Sequence, residues 1–212
     1  MKKILFIFLS TVVFKFSYGQ KLITTDSAGN QLKQFYINQR VDSLWIAGHH
    51  VNWETGAPDE PNATTDTTTH CSAFVASVCH QLGIYILRPP AHETELLANA
   101  QYKWLFSKEA ADSNWKQIKL NVLETAQRYA DSGIVVVAVY KNPNPKWSGH
   151  IALVMPAEKT IDDVHNEGPV LIQAGRTNTN NITFRQAFRY HLTSWPPNSK
   201  KIVFFYNDNN KK

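Results

Sequence analysis

The 212-residue chain contains only two cysteines, Cys71 and Cys79. A multi-disulfide scaffold, the usual staple of small exported domains, is therefore excluded. No repeat and no low-complexity segment interrupts it, so neither a solenoid nor a disordered linker is indicated. No apolar run reaches the roughly 20 residues that span a bilayer. The longest is at the start, where residues 4–13 are almost wholly apolar before Lys15 breaks them. Charge of one sign is also scarce once that start is set aside. Residues 1–19 hold three lysines and no acid, leaving 19 Lys+Arg against 17 Asp+Glu, a net +2 with histidine neutral. The basic pI thus comes largely from the leader and from Lys200, Lys201, Lys211 and Lys212. Nothing in this balance calls for nucleic acid as a partner.

The leader has the layout of a secretory signal peptide. Lys2 and Lys3 precede the apolar run, and Ser17-Tyr18-Gly19 places small residues before Gln20. The expectation is an exported protein, periplasmic or extracellular, without stable membrane insertion. Residues 20–212 suit one domain with a full core. A monomer is the expected form.

Hydrophobic periodicity sketches the elements. Residues 30–47 show apolar positions at helical spacing, with Gly48 as a stop. Residues 48–69 read as loop, with Gly56, Pro58 and Pro61 among Thr and Asp. Residues 72–82 (SAFVASVCHQL) predict an amphipathic helix without Gly or Pro. Further helices are expected over 92–104 and 120–132. Then the pattern changes to short apolar runs at 134–140, 150–155, 169–174 and 201–206, which predict buried strands. Helices first and strands after predict an α+β fold with a mainly antiparallel sheet.

Two cysteines in an exported chain suggest a disulfide, but helix geometry opposes it. Eight residues along a helix is roughly 12 Å, and bridged Cα atoms lie within about 7 Å. Cys79, beside Val75, Val78 and Leu82, reads as a small core residue. Cys71 falls at the start of the helix, after Thr67-Thr68-Thr69-His70, where a threonine can cap the first turn. Free N–H groups and the positive dipole end favour a thiolate there, and the same N–H groups can hold an oxyanion.

A cysteine nucleophile needs a base, and the base needs an orienting partner. Among eight histidines, His150 opens a strand directly after Gly149 and a loop, facing the place where a helix start would sit. His80 lies more than two helical turns from Cys71. Gln173, a polar residue inside the apolar stretch VLIQAG, needs a hydrogen-bond partner that an imidazole on the next strand would supply. A metal site built from His49, His50, His70 and Cys71 is the rival chemistry, but it lacks C-x-x-C or H-x-x-x-H spacing.

The stretch Thr69-His70-Cys71-Ser72-Ala73-Phe74-Val75 resembles the D-C-S-x-hydrophobic-V motif of NlpC/P60 cell-wall peptidases. Gly149-His150-Ile151-Ala152-Leu153-Val154 resembles their G-H-V-(G/A)-I-Y strand, and Ile172-Gln173-Ala174 the strand that supplies their third polar residue. His70 stands where the family usually has Asp. The resemblance implies a papain-like fold, shared with CHAP amidases, with the catalytic cysteine at the N-terminus of a helix packed on the sheet. It implies hydrolysis of an amide bond in peptidoglycan by Cys71, His150 and Gln173, with no metal or cofactor. Trp53, Trp147 and Arg176 would bind the wall or peptide substrate from flanking loops. A non-catalytic wall- or glycan-binding module, or a hydrolase of a non-wall amide or ester, are the alternatives on the same fold.

Overall fold

A computed structural model describes residues 21–64, 69–195 and 201–208. The signal peptide expected at 1–19 lies outside the described residues. In chain order the elements are β1 (Leu22–Ile23), α1 (Ser27–Asn38), β2 (His49–Val51), β3 (Pro58–Thr64), α2 (Cys71–Gln81), α3 (Leu97–Leu105), α4 (Lys108–Asp112), β4 (Trp115–Gln117) and α5 (Val122–Asp131). There follow β5 (Val136–Tyr140), β6 (His150–Val154), β7 (Lys159–Thr160), α6 (Ile161–Glu167), β8 (Val170–Gln173), β9 (Thr179–Thr183), α7 (Phe184–Ala187) and β10 (Ile202–Asn207).

Six of the strands form one sheet in the order β4-β10-β5-β6-β8-β9, and every pairing in it is antiparallel. The class is mixed α/β with antiparallel sheets, as the order of elements predicts. Antiparallel sheets often leave one face to water, which gives alternating sequences. Here both faces are covered. Val137, Val139, Ile151, Leu153, Val203 and Phe205 share a core with α2 and α3. Val136, Ala138, Ala152, Val154, Phe204 and Leu171 share a second core with α5, Phe184 and Phe188. That is why β5, β6, β8 and β10 read as unbroken apolar runs.

Helix α2 is the centre of the first core. Cys71 through Cys79 are all buried, so little of its circumference reaches water. Its far end is set by Gly83 at φ +68°. The Gly83 N–H donates to His80 O (3.0 Å) and the Ile84 N–H to Cys79 O (2.8 Å). This double closure satisfies two terminal carbonyls and needs the left-handed conformation that glycine adopts without strain. At the near end, buried Gln101 of α3 donates to Ser72 O (3.2 Å) and Leu87 O (3.0 Å), tying the first turn of α2 to its neighbour.

Several expectations need correction. The helix expected over 30–47 stops at Asn38, because Arg40 and Trp45 take positive φ (53° and 54°) and turn the chain. The supposed loop 48–69 contains the β2–β3 pair, whose register slips around His50. Pro58 and Pro61 are tolerated because β3 has only one partner strand, β2. The helix over 92–104 begins only at Leu97, and α4 and β4 follow it without a sequence signal strong enough to mark them.

Candidate functional site

Strand β6 brings the three sequence-predicted residues to one end of the sheet. His150 is its first residue, paired with Tyr140 of β5. Gln173 closes β8, the next strand over. The two side chains meet: His150 Nε2 and Gln173 Oε1 are 2.8 Å apart. The other half of the Gln173 amide decides the chemistry. Its Nε2 donates to Thr177 O at 3.1 Å, and a carbonyl only accepts, so the amide orientation is fixed. Oε1 must then face the imidazole, and His150 must carry its proton on Nε2. Nδ1 is left with the lone pair, which is the form a base requires.

Cys71 reaches the same strand end from α2. Hydrogen bonds to its sulfur come from the backbone at Ile151, Ser72 and Cys71 itself and from the Thr69 side chain. Ile151 directly follows His150, so the sulfur meets β6 one residue beyond the one that carries the imidazole, whose ring packs on Phe188. Cys71 is only 2% exposed. Burial pushes its thiol pKa up, and the four hydrogen bonds only partly offset this. Desolvation thus acts against the thiolate that the helix terminus favours. Burial also lowers the His150 pKa, with the Gln173 bond acting in the opposite direction. Both shifts favour the uncharged forms, a thiol and a neutral imidazole. The expected threonine cap is absent among the described residues. His70 takes the cap position without a side-chain bond, and Thr69 turns to the sulfur instead.

Both cysteines are unpaired. Cys79 is fully enclosed, and its pKa is pushed up to about 12 by burial. His70 is buried, and its Nε2 donates to His49 O at 2.7 Å, fastening β2 to the start of α2. His50 pairs with Asp59 across the hairpin. Among the described residues no three His, Cys, Asp or Glu side chains gather as metal ligands would.

The three substrate-binding candidates separate. Trp53 packs on His80 (ring centroids 5.7 Å). His80 is nine residues along α2 from Cys71, about 13 Å by helix rise, so Trp53 is removed from the sulfur. Trp147 is 67% exposed in the loop that leads into His150, and its carbonyl accepts from Asn99. Arg176 is exposed and follows Gly175, which lies against the His150 ring.

The structure adds residues that the sequence did not single out. Asn99 of α3 is buried and spans the loop before His150: it donates to Trp147 O (2.8 Å) and accepts from Asn142 N (2.9 Å). Gly149 fits because a Cβ there would collide with Tyr140 O and Asn99 Oδ1. Phe188 packs on the His150 ring (4.9 Å), and His191, stacked on Tyr140 (4.2 Å, 21°), lies 6.3 Å from it. Burial and the nearby His150 lower the His191 pKa to about 4. Most of these contacts span more than 35 residues of sequence. Only Gly149, as the glycine before a strand-opening histidine, carried a local signal.

Comparison of the sequence with family models found none that matches, and comparison with curated proteins found no match. Among the described residues no helix is long and apolar enough to cross a membrane.

Proposed function

We propose that this chain is an exported cysteine hydrolase of papain-like, NlpC/P60 type that cleaves an amide bond in peptidoglycan. The observation that carries this reading is the His150–Gln173 hydrogen bond, with the tautomer it implies. Gln173, itself anchored on Thr177 O, leaves Nδ1 as the basic nitrogen. The N–H of the next residue serves the Cys71 sulfur. In this reading Nδ1 takes the thiol proton as the sulfur attacks the carbonyl. The uncharged resting pair makes this a general-base step. The oxyanion faces the first-turn N–H groups of α2. The imidazolium gives its proton to the leaving amine, and a thioester remains on Cys71. Water, deprotonated by His150, then releases the acid and restores the thiol. The motif resemblance supports the choice of polymer, and the geometry supports the chemistry.

The test is mass spectrometry of peptidoglycan digested with the wild type and with Cys71→Ala. New amide-cleavage fragments in the first and none in the second support the reading. No new fragments from several wall types would sink the wall substrate.

The burial of Cys71 favours a second reading, a wall- or glycan-binding module that retains the fold. In that case peptidoglycan sediments the wild type and the Cys71→Ala variant equally, and neither cuts a bond.

A further inference from the structure

Between Glu167 and Asp208 the chain contains no acidic residue, while it carries Arg176, Arg185, Arg189, Lys200 and Lys201. A stretch of one sign in a chain of nearly balanced charge concentrates positive potential where it folds. Two of these cations meet at one recess. Arg185 and Arg189, one helical turn apart, line it with Leu192, Ser194 and Trp195, and its volume is about 220 Å³.

Both guanidinium groups rest on an aromatic ring and keep donors to spare. Arg185 lies over the Trp195 ring (5.2 Å to the centroid) and gives one bond to Asn166 O (3.3 Å). Arg189 lies over Tyr190 (4.7 Å) and gives one bond to the Tyr190 hydroxyl (3.2 Å). Trp195 is itself fixed, its Nε1 donating to His165 O at 2.9 Å. A guanidinium has five N–H donors, so most of each fork is uncommitted to these contacts. Among the described residues neither arginine has a carboxylate within ion-pair distance. Of the acids on neighbouring elements, Glu124 pairs with Arg128 and Glu167 with Lys159. Like charges at this spacing repel each other and are relieved by a shared anion.

We infer that this recess is a binding site for an anionic group, phosphate or carboxylate, clamped between Arg185 and Arg189 beside the Trp195 ring. The site is separate from the Cys71 end of the fold. It is nevertheless joined to it by one turn of chain, because Phe188, between the two arginines, packs on His150.

Nuclear magnetic resonance of the full chain labelled at tryptophan indole nitrogen tests this, with Trp195→Phe to assign the signal. Inorganic phosphate and acetate are titrated separately at constant ionic strength, so that screening does not change. A saturable shift of the Trp195 indole with either anion is expected. Phosphate alone acting would mark the ligand group as phosphate, and acetate acting as well would admit a carboxylate. The Arg185→Gln/Arg189→Gln double variant, with its circular dichroism unchanged, is expected to bind about tenfold or more weakly. No saturable shift with either anion, or the same affinity in the folded double variant, would overturn the assignment.

Discussion

Gln173 and His150 form an oriented pair in which the amide dictates the imidazole tautomer. Oε1 receives the Nε2 proton at 2.8 Å only because the amide nitrogen is committed to Thr177 O at 3.1 Å. Removing the amide frees the ring to rotate and to change tautomer. Gln173→Ala is expected to lower kcat/KM by about 10- to 100-fold, the usual cost of losing such a supporting bond. Gln173→Glu should remain folded but shift the acidic limb of the pH profile upward, since a carboxylate stabilises imidazolium. Steady-state kinetics across pH read both effects. Unchanged profiles would remove Gln173 from the site.

The uncharged thiol and imidazole predict a particular reactivity. The raised Cys71 pKa means that alkylation by iodoacetamide is slow at pH 7 and accelerates above the ordinary thiol value near 9. Cys79 stays unmodified in the folded protein, because it is enclosed and its pKa is about 12. Peptide mapping after timed labelling separates the two. Fast labelling of Cys71 at neutral pH would indicate a resting thiolate instead.

Asn99 acts on His150 through the loop between β5 and β6. Asn99→Ala leaves Trp147 O and Asn142 N without their buried partner. A loss of about 1–3 kcal/mol in stability is expected, as for other unmet polar groups. Activity should fall further than stability alone explains, because the loop delivers the base. Denaturant unfolding and kinetics on the same variant check this.

Asp131 gives the fold a distinct pH signature. Its Oδ1 accepts from Thr25, Gln127 and Ala157 N, while Oδ2 is buried without a partner. Burial raises its pKa from 3.8 to about 6. The native state therefore binds more protons than the unfolded state between pH 4 and 6, so this carboxyl favours folding at acid pH and the benefit is lost as pH rises through 6. Three histidines work the other way. The lowered values of His70, His150 and His191 remove stability as pH falls below 6.5. The comparison with Asp131→Asn isolates the carboxyl. Relative to that variant, the wild type should gain up to about 3 kcal/mol between pH 6 and pH 4. A constant difference across that range would contradict the assignment.

What the sequence revealed depended on how locally each feature was encoded. The strands buried on both faces, such as 136–140 and 202–207, announce themselves as apolar runs. Helix α2 does so by lacking Gly and Pro, and Gln173 by being polar in an apolar strand. Edge elements do not. β9 (TNNIT) has no apolar alternation because it buries no continuous face, and β3 (PDEPNAT) has none either. The left-handed turns at Arg40 and Trp45 leave no composition signal, so periodicity alone extends α1 past its end at Asn38. The raised Cys71 pKa has a different origin. Helix position is visible in sequence, but the desolvation that overrides it comes from packing between distant segments.

The most direct test of the central claim is acylation of Cys71 by a small activated ester, followed by intact-mass spectrometry and peptide mapping. It does not depend on knowing the natural substrate. With p-nitrophenyl acetate, an acyl adduct on Cys71 should form in the wild type, form far more slowly in His150→Ala, and be absent in Cys71→Ala. An adduct elsewhere, or one on Cys71 whose rate is indifferent to His150, would contradict a cysteine nucleophile served by the His150–Gln173 pair.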